Sequence, residues 1–219
     1  MPSFEIETEL ASRGLRVIAG VDEAGRGALA GPLCLGAVIY SPRLYRDTPP
    51  EFAACIDDSK RLSAAQRREA LDLVREHARA AVTVMVSHRT IDRLTINGAT
   101  CYAIQKILAL LPVRPDVLLL DGKFAFRLSV PVISVVRGDQ RSFSIASASI
   151  AAKLRRDEVL ERFDRIYPGY DLLHNKGYGT LRHREAIMRM GPSAIHRISY
   201  EPVRSMRAGQ VLFDHEYPR

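Results

Sequence analysis

Three short runs of almost wholly apolar residues constrain this chain most, because each leads into carboxylates beside glycine. Arg16 to Val21 runs into Asp22-Glu23, with Gly25 just beyond. Val117 to Leu120 runs into Asp121-Gly122, and Val130 to Val136 into Arg137-Gly138-Asp139. Val117 to Leu120 and Val130 to Val136, apolar throughout rather than at alternate positions, read as strands covered on both faces. Leu33 to Tyr40 is apolar too and closes at the turn pair Ser41-Pro42, and with Arg16 to Val21 it suggests a hairpin connected by the glycine loop. Strands covered on both faces need helices, and the chain supplies them. Ser63 with Gln66 forms a capping box that opens a helix to about Arg79, with Leu62, Ala70, Leu71, Val74 and Ala78 at helical spacing. Further helices are predicted over Gly98 to Leu111, Ser144 to Phe163 and Leu181 to Met190. The second of these starts with small residues (Ala146, Ser147, Ala148, Ser149, Ala151, Ala152), which permit close packing. Ala81 to Val86 reads as another strand, and Arg43 to Asp58 as irregular chain. The pattern predicts one mixed-sheet α/β domain, with the region after about Tyr170 packed on it.

With 219 residues, 47% of them hydrophobic, the chain is long enough for a substantial buried core and too apolar for global disorder. Its formal net charge of +7 suits a polyanionic partner without requiring one. Cys34, Cys55 and Cys101 are odd in number and far apart, with no CxxC spacing. They exclude an ordinary zinc site and read as buried thiols of a reducing compartment. The segment Met1 to Leu10 has neither a basic start nor an apolar core, so no secretory signal is expected. No membrane span and a cytoplasmic location are expected.

Asp22, Glu23, Asp121 and Asp139 are the candidate metal-binding catalytic acids. Magnesium and manganese take oxygen ligands. A two-metal site about 4 Å wide can activate a water and stabilise the leaving oxygen of a phosphodiester. Any one of these acids, taken singly, reads more readily as a solvated turn residue; four of them, each beside an apolar run and a glycine, do not. Asp22 and Glu23 pose a geometric difficulty, since neighbours in a regular strand point to opposite faces. Both reach one site only if the strand ends or bends there, which Gly25 and Gly27 would allow.

Gly25-Arg26-Gly27 is no P-loop, and its use would be backbone N–H groups aimed at a phosphate or sugar hydroxyl. Lys60, in Asp58-Ser59-Lys60, and Lys153, on the small-residue helix, are candidate phosphate contacts. His174-Asn175-Lys176-Gly177-Tyr178-Gly179-Thr180 interleaves base, glycine, aromatic and hydroxyl, and Tyr178 could stack on a sugar or base.

Read in order, these blocks resemble bacterial-type ribonuclease HII over nearly the whole chain. They are Gly20 to Gly27, Asp58 to Ser63, Leu120 to Gly122, Arg137 to Asp139, Ala148 to Lys153, Arg156-Asp157, His174 to Thr180 and His196 to Tyr200. The resemblance implies a ribonuclease H-like fold: a five-stranded mixed sheet flanked by helices, with a catalytic part over residues 1–170 and a helical substrate-binding part over 171–219. It implies hydrolysis of the RNA strand of RNA–DNA hybrids and nicking on the 5′ side of ribonucleotides embedded in duplex DNA. Products would carry a 3′-hydroxyl and a 5′-phosphate. The implied cofactor is magnesium or manganese on Asp22, Glu23, Asp121 and Asp139. Gly25, Arg26, Gly27 and Tyr178 would read the ribonucleotide. Ala28 stands where proline is common, Tyr200 where phenylalanine is common, and Arg61 where lysine is frequent. Ribonuclease HIII, a catalytically silent hybrid-binding module and a DNA-structure nuclease are the alternatives, and the arginine between the glycines favours HII over HIII. A monomer is expected. Gln210-Val211-Leu212-Phe213 loosely resembles a sliding-clamp docking peptide.

Overall fold

The structure, a computed structural model, describes residues 1–122 and 128–207. In chain order the elements are α1 (Glu5–Ser12), β1 (Ile18–Ala24), β2 (Leu33–Tyr40), α2 (Pro42–Arg46), α3 (Pro50–Cys55), α4 (Ala64–His77), β3 (Ala78–Val86) and α5 (His88–Leu110). They continue as β4 (Val117–Asp121), β5 (Val132–Val135), a 3-10 turn (Gly138–Gln140), α6 (Phe143–Ile166), α7 (Leu172–Asn175), α8 (Leu181–Met190) and α9 (Val203–Arg207). The chain forms two compact units. A sheet unit holds Met1–Ala24, Cys34–Met85 and Thr100–Arg156; a loop-and-helix unit holds Gly25–Leu33, Val86–Ala99 and the chain from Asp157.

The five strands form one mixed sheet in the order β3-β2-β1-β4-β5. β1 pairs antiparallel with β2, from Ala19 opposite Ile39 to Ala24 opposite Cys34. It pairs parallel with β4, and β4 pairs parallel with β5, bringing Asp121 opposite Val135. Every residue of β2 is buried, as are all of β1 but Glu23 and all of β4 but Asp121. Three of the strands predicted from apolar runs, β1, β2 and β4, are therefore central, whereas the run Val130 to Val136 forms the edge strand β5 and is not covered on both faces. β3 and β5, at the edges, have mixed burial because one side of each meets solvent.

Two glycines set how closely α6 lies on the sheet. A Cβ on Gly20 would stand 2.2 Å from the Ser144 carbonyl carbon, and one on Gly36 2.2 Å from the Ala148 carbonyl oxygen. Glycine in the strands meets serine and alanine in the helix, so the backbones approach nearer than larger side chains allow. This is the use of the small residues that open α6. On another part of the sheet unit, Phe4, Tyr40, Phe52 and Phe143 form an aromatic cluster, mostly edge to face, with ring centroids 4.9 to 6.1 Å apart.

The capping box at Ser63 forms as predicted, and α4 follows it. The segment read as irregular instead carries α2 and α3, each with proline in its first turn. Proline is pre-set for a helix start, and helices this short leave too little periodicity to read. The helix predicted from Gly98 begins ten residues earlier at His88 and is interrupted at Thr95, whose φ is +62°. Cys34 is buried, whereas Cys55 and Cys101 are only partly so. Among the described residues, no helix is long and apolar enough to cross a membrane.

Candidate active site

In the sheet unit, β1, β4 and the 3-10 turn bring three of the four predicted acids together. Asp22, Asp121 and Asp139 each offer a carboxylate oxygen, and these oxygens lie within 4.8 Å of one another. Asp22 and Asp139 are 6% and 3% exposed, so water does little to relieve their mutual repulsion. Asp121 terminates β4, and its Oδ1 accepts the Gly138 N–H at 2.6 Å. That contact ties β4 to the turn carrying Asp139, while Arg137, left-handed at φ +55°, turns the chain into it.

Glu23 is not in this cluster. β1 does not end at Asp22, because its pairing with β2 continues through Glu23 and Ala24. Strand alternation therefore separates the two neighbouring acids. Glu23 still acts on Asp22: its backbone N–H donates to Asp22 Oδ1 at 2.7 Å, and its charge is felt there.

Burial, followed by the charge of Glu23, pushes the Asp22 carboxyl well above the usual carboxylate range; the Asp121 charge adds to this, and a hydrogen bond from Ser149 opposes it. Burial also raises Asp121, helped by the Asp139 charge and opposed by the Gly138 N–H and Lys60. Carboxylates so crowded repel one another even with the hydrogen bonds and the Lys60 ion pair that hold them. A hard divalent cation with oxygen preference, such as magnesium or manganese, fits that donor set.

Lys60 Nζ lies 3.1 Å from Asp139 Oδ2 and 4.0 Å from Asp58 Oδ1. Burial works against its charge, but the hydrogen bond and charge of Asp139, with the charges of Asp58 and Asp22, outweigh it and raise its pKa. The turn that carries Lys60 is anchored. Buried Asp58 accepts the Lys60 N–H at 3.0 Å and Gln140 Nε2 at 3.3 Å, and the Ser59 and Ser149 hydroxyls are 2.9 Å apart. Ser149, Asp58 and Gln140 were not predicted as site residues, although Asp58 and Ser149 lie in the blocks that carry the family resemblance and Gln140 is next to Asp139. Lys153 is half-buried on α6.

The loop-and-helix unit holds the other candidates. Gly25, at φ +88°, opens a turn closed by the Ala28 N–H on the Gly25 carbonyl at 3.3 Å. Arg26 hydrogen-bonds Asn97, and Gly27 is exposed. The Leu29 and Ala30 N–H groups both donate to the Gly177 carbonyl, at 2.8 and 3.2 Å. The glycine loop and the Tyr178 loop are thus stitched into one body, although some 150 residues separate them. Tyr178 is 40% exposed.

Behind Tyr178, two buried histidines form a chain whose tautomers follow from its ends. The Ser193 N–H donates to His196 Nδ1 at 2.9 Å, so the His196 proton is on Nε2, 3.1 Å from His183 Nε2. His183 then donates from Nδ1 to the Tyr178 carbonyl at 2.8 Å. Neither ring can take a second proton without losing a bond. Burial, with the charge of His183, pushes His196 down to about 4, and burial also lowers His183.

A five-stranded mixed sheet flanked by helices, with carboxylates gathered at β1, β4 and the following turn, is a ribonuclease H-like architecture. The solved ribonuclease H2 from Pyrococcus horikoshii OT3 matches 88% of this chain and 98% of its own with a TM-score of 0.73 at 22% identity. Bst-RNase HIII in complex with Mn2+ matches 93% of this chain and 73% of its own with a TM-score of 0.68 at 19% identity. The family described as Ribonuclease HII matches residues 19–203, and the Ribonuclease HII of Chloroflexus aggregans is 44% identical over 92% of this chain and 94% of its own. The chain belongs to the ribonuclease HII family, and it is a ribonuclease H acting on RNA–DNA hybrids.

Proposed function

We propose that this ribonuclease H also nicks duplex DNA on the 5′ side of an embedded ribonucleotide, leaving a 3′-hydroxyl and a 5′-phosphate. Its cellular roles would be removal of ribonucleotides from DNA and of RNA primers, carried out by a cytoplasmic monomer. The observation that carries this reading is the cluster of Asp22, Asp121 and Asp139, with oxygens within 4.8 Å, in a chain of this family. Glu23, whose charge Asp22 already feels, is the fourth acid of the proposed set.

Divalent ions held by these acids would supply charge stabilisation at the scissile phosphate and the leaving oxygen. The protein's own part is placement. The Glu23 N–H and Ser149 hold Asp22, and the Gly138 N–H holds Asp121. Lys60 and Lys153 contribute positive charge for the nucleic-acid backbone. Gly25, Arg26 and Gly27 present donors to the ribose, whose 2′-hydroxyl is the local difference between RNA and DNA. Tyr178 offers an exposed ring for stacking, and the part after residue 170 serves substrate binding. The sliding-clamp peptide suggested at Gln210 to Phe213 lies outside the described residues.

The test uses a labelled DNA duplex with one ribonucleotide, magnesium or manganese, an all-DNA control and an Asp121→Asn variant. Nicking 5′ to the ribonucleotide, dependent on metal and lost in the variant, is the expected result. No nicking of this duplex by a protein that cleaves a long hybrid would overturn the embedded-ribonucleotide reading. Cutting of the all-DNA control would remove the 2′-hydroxyl from the argument.

A further inference from the structure

Beneath the glycine loop lies a buried cation that is not part of the carboxylate cluster. Arg197 is fully buried. Its Nη2 donates to the Gly25 carbonyl at 2.7 Å, Nη1 to the Arg26 carbonyl at 2.8 Å and Nε to the Gly31 carbonyl at 3.1 Å. The Tyr200 hydroxyl donates to the same Arg26 carbonyl at 2.9 Å, and its ring centroid lies 5.1 Å from the guanidinium carbon. The Arg197 main chain is pinned as well, its N–H donating to the Leu29 carbonyl at 2.8 Å. Asp92 accepts the Ile198 and Ser199 N–H groups at 3.2 and 3.0 Å.

We infer that Arg197 and Tyr200 are positioning residues for ribonucleotide recognition: they hold the Gly25 and Arg26 carbonyls from one side, so that the Arg26 and Gly27 N–H groups face the substrate. The reasoning is peptide geometry. The Gly25 carbonyl shares a peptide plane with the Arg26 N–H, and the Arg26 carbonyl shares one with the Gly27 N–H. In a trans peptide, C=O and N–H point in opposite directions. Drawing both oxygens toward one guanidinium therefore turns both N–H groups the other way. The bound positive charge also polarises those peptides, which makes their N–H groups stronger donors. Gly27 is exposed, and a Cβ there would meet nothing within 4 Å, so the space before it is open. A mere turn would not need this arrangement, because the Ala28 N–H already closes it, and burying a guanidinium is costly. Tyr200 stands where phenylalanine is common in the family that the chain resembles, and its hydroxyl adds a hydrogen bond to the clamp.

The inference rests on the proposed reading of embedded ribonucleotides, and one experiment separates the two. Full-length protein carrying Asp121→Asn, to prevent cleavage, is titrated with a duplex holding one ribonucleotide and with its all-DNA counterpart. Tyr200→Phe and Arg197→Lys are added singly, and each is melted beside its parent. The expected result is an unchanged melt for Tyr200→Phe with an approximately threefold loss of preference for the ribonucleotide. Arg197→Lys is expected to lose about tenfold. In the cleaving background, KM should rise by similar factors with kcat nearly unchanged, a split that a purely structural role would not produce. If the parent discriminates and a well-folded Tyr200→Phe discriminates equally, the inference for Tyr200 is overturned. The same result for a well-folded Arg197→Lys overturns it for the clamp. A parent that binds both duplexes alike overturns the functional reading and the inference with it.

Discussion

Asp22 has conflicting demands placed on it, and the conflict gives a test at the residue scale. It sits among other acids, in a place that Gly20, Gly36 and the close approach of α6 keep nearly dry. Its carboxyl is pushed upward first by burial and then by Glu23, so without metal it opposes folding. Asp22→Asn keeps an oxygen for the Glu23 N–H and removes the charge. We expect the variant to melt higher than its parent in chelator. It should lose most of the stabilisation that manganese gives the parent, which at a hundredfold excess over Kd is about 2.7 kcal/mol. Hybrid cleavage should fall at least about 100-fold. A variant that melts lower in chelator, or gains as much from manganese as the parent, would contradict the assignment. These oppositions were hidden in the one-dimensional pattern. Asp121 and Asp139 were legible as acids ending apolar runs, but Glu23 was grouped with Asp22 by adjacency, and only the unbroken β1–β2 register separates them.

Elements carry the next two predictions. Gly36→Ala would place a Cβ 2.2 Å from the Ala148 carbonyl, a backbone atom that cannot yield without moving α6 off β2. The expected loss is about 3 kcal/mol or more by urea denaturation. Gly27→Ala, which meets nothing within 4 Å, should melt like its parent. The second concerns the α8 histidine His183 and its partner His196. Free histidine titrates near 6.5, while folding lowers His183 and holds His196 at about 4. Between those values the unfolded chain binds the proton and the folded chain does not, so protons favour unfolding. Stability from the pair is complete above pH 6.5 and declines as pH falls toward 4, by roughly 2–3 kcal/mol. Urea midpoints for the parent and His196→Asn at pH 7 and pH 4.5 check this; an equal decline in both would exclude the pair as the cause. The helices themselves were legible to different degrees. The capped α4 and the α8 pattern could be read because capping and periodicity act over a few residues. α2, α3 and the break at Thr95 could not, because short helices and a single left-handed residue leave no periodic trace.

At the scale of the whole molecule, the charge of +7 coexists with a cluster of carboxylates, so local and global electrostatics have opposite signs. A polyanion is drawn by the global charge, and cations are drawn by the local cluster. Binding of an RNA–DNA hybrid to the Asp121→Asn protein should therefore weaken at least about tenfold from 50 to 200 mM salt, as counterion release requires for a few phosphate contacts. Affinity independent of salt would mean that the basic residues do not meet the backbone. The sequence by itself determined which segments become strands, where carboxylates interrupt them, and the family, because apolar runs and turn chemistry are written in neighbouring residues. Tertiary structure alone decided that Asp22, Asp121 and Asp139 bring their oxygens within 4.8 Å of one another, and that Lys60 stands on Asp139. It also decided that Arg197 reaches carbonyls 171 and 172 residues away in sequence. Those pairings depend on strand order, on the register of β1 and on two glycines that admit α6, and no stretch of neighbouring residues encodes the position of a segment that far along the chain.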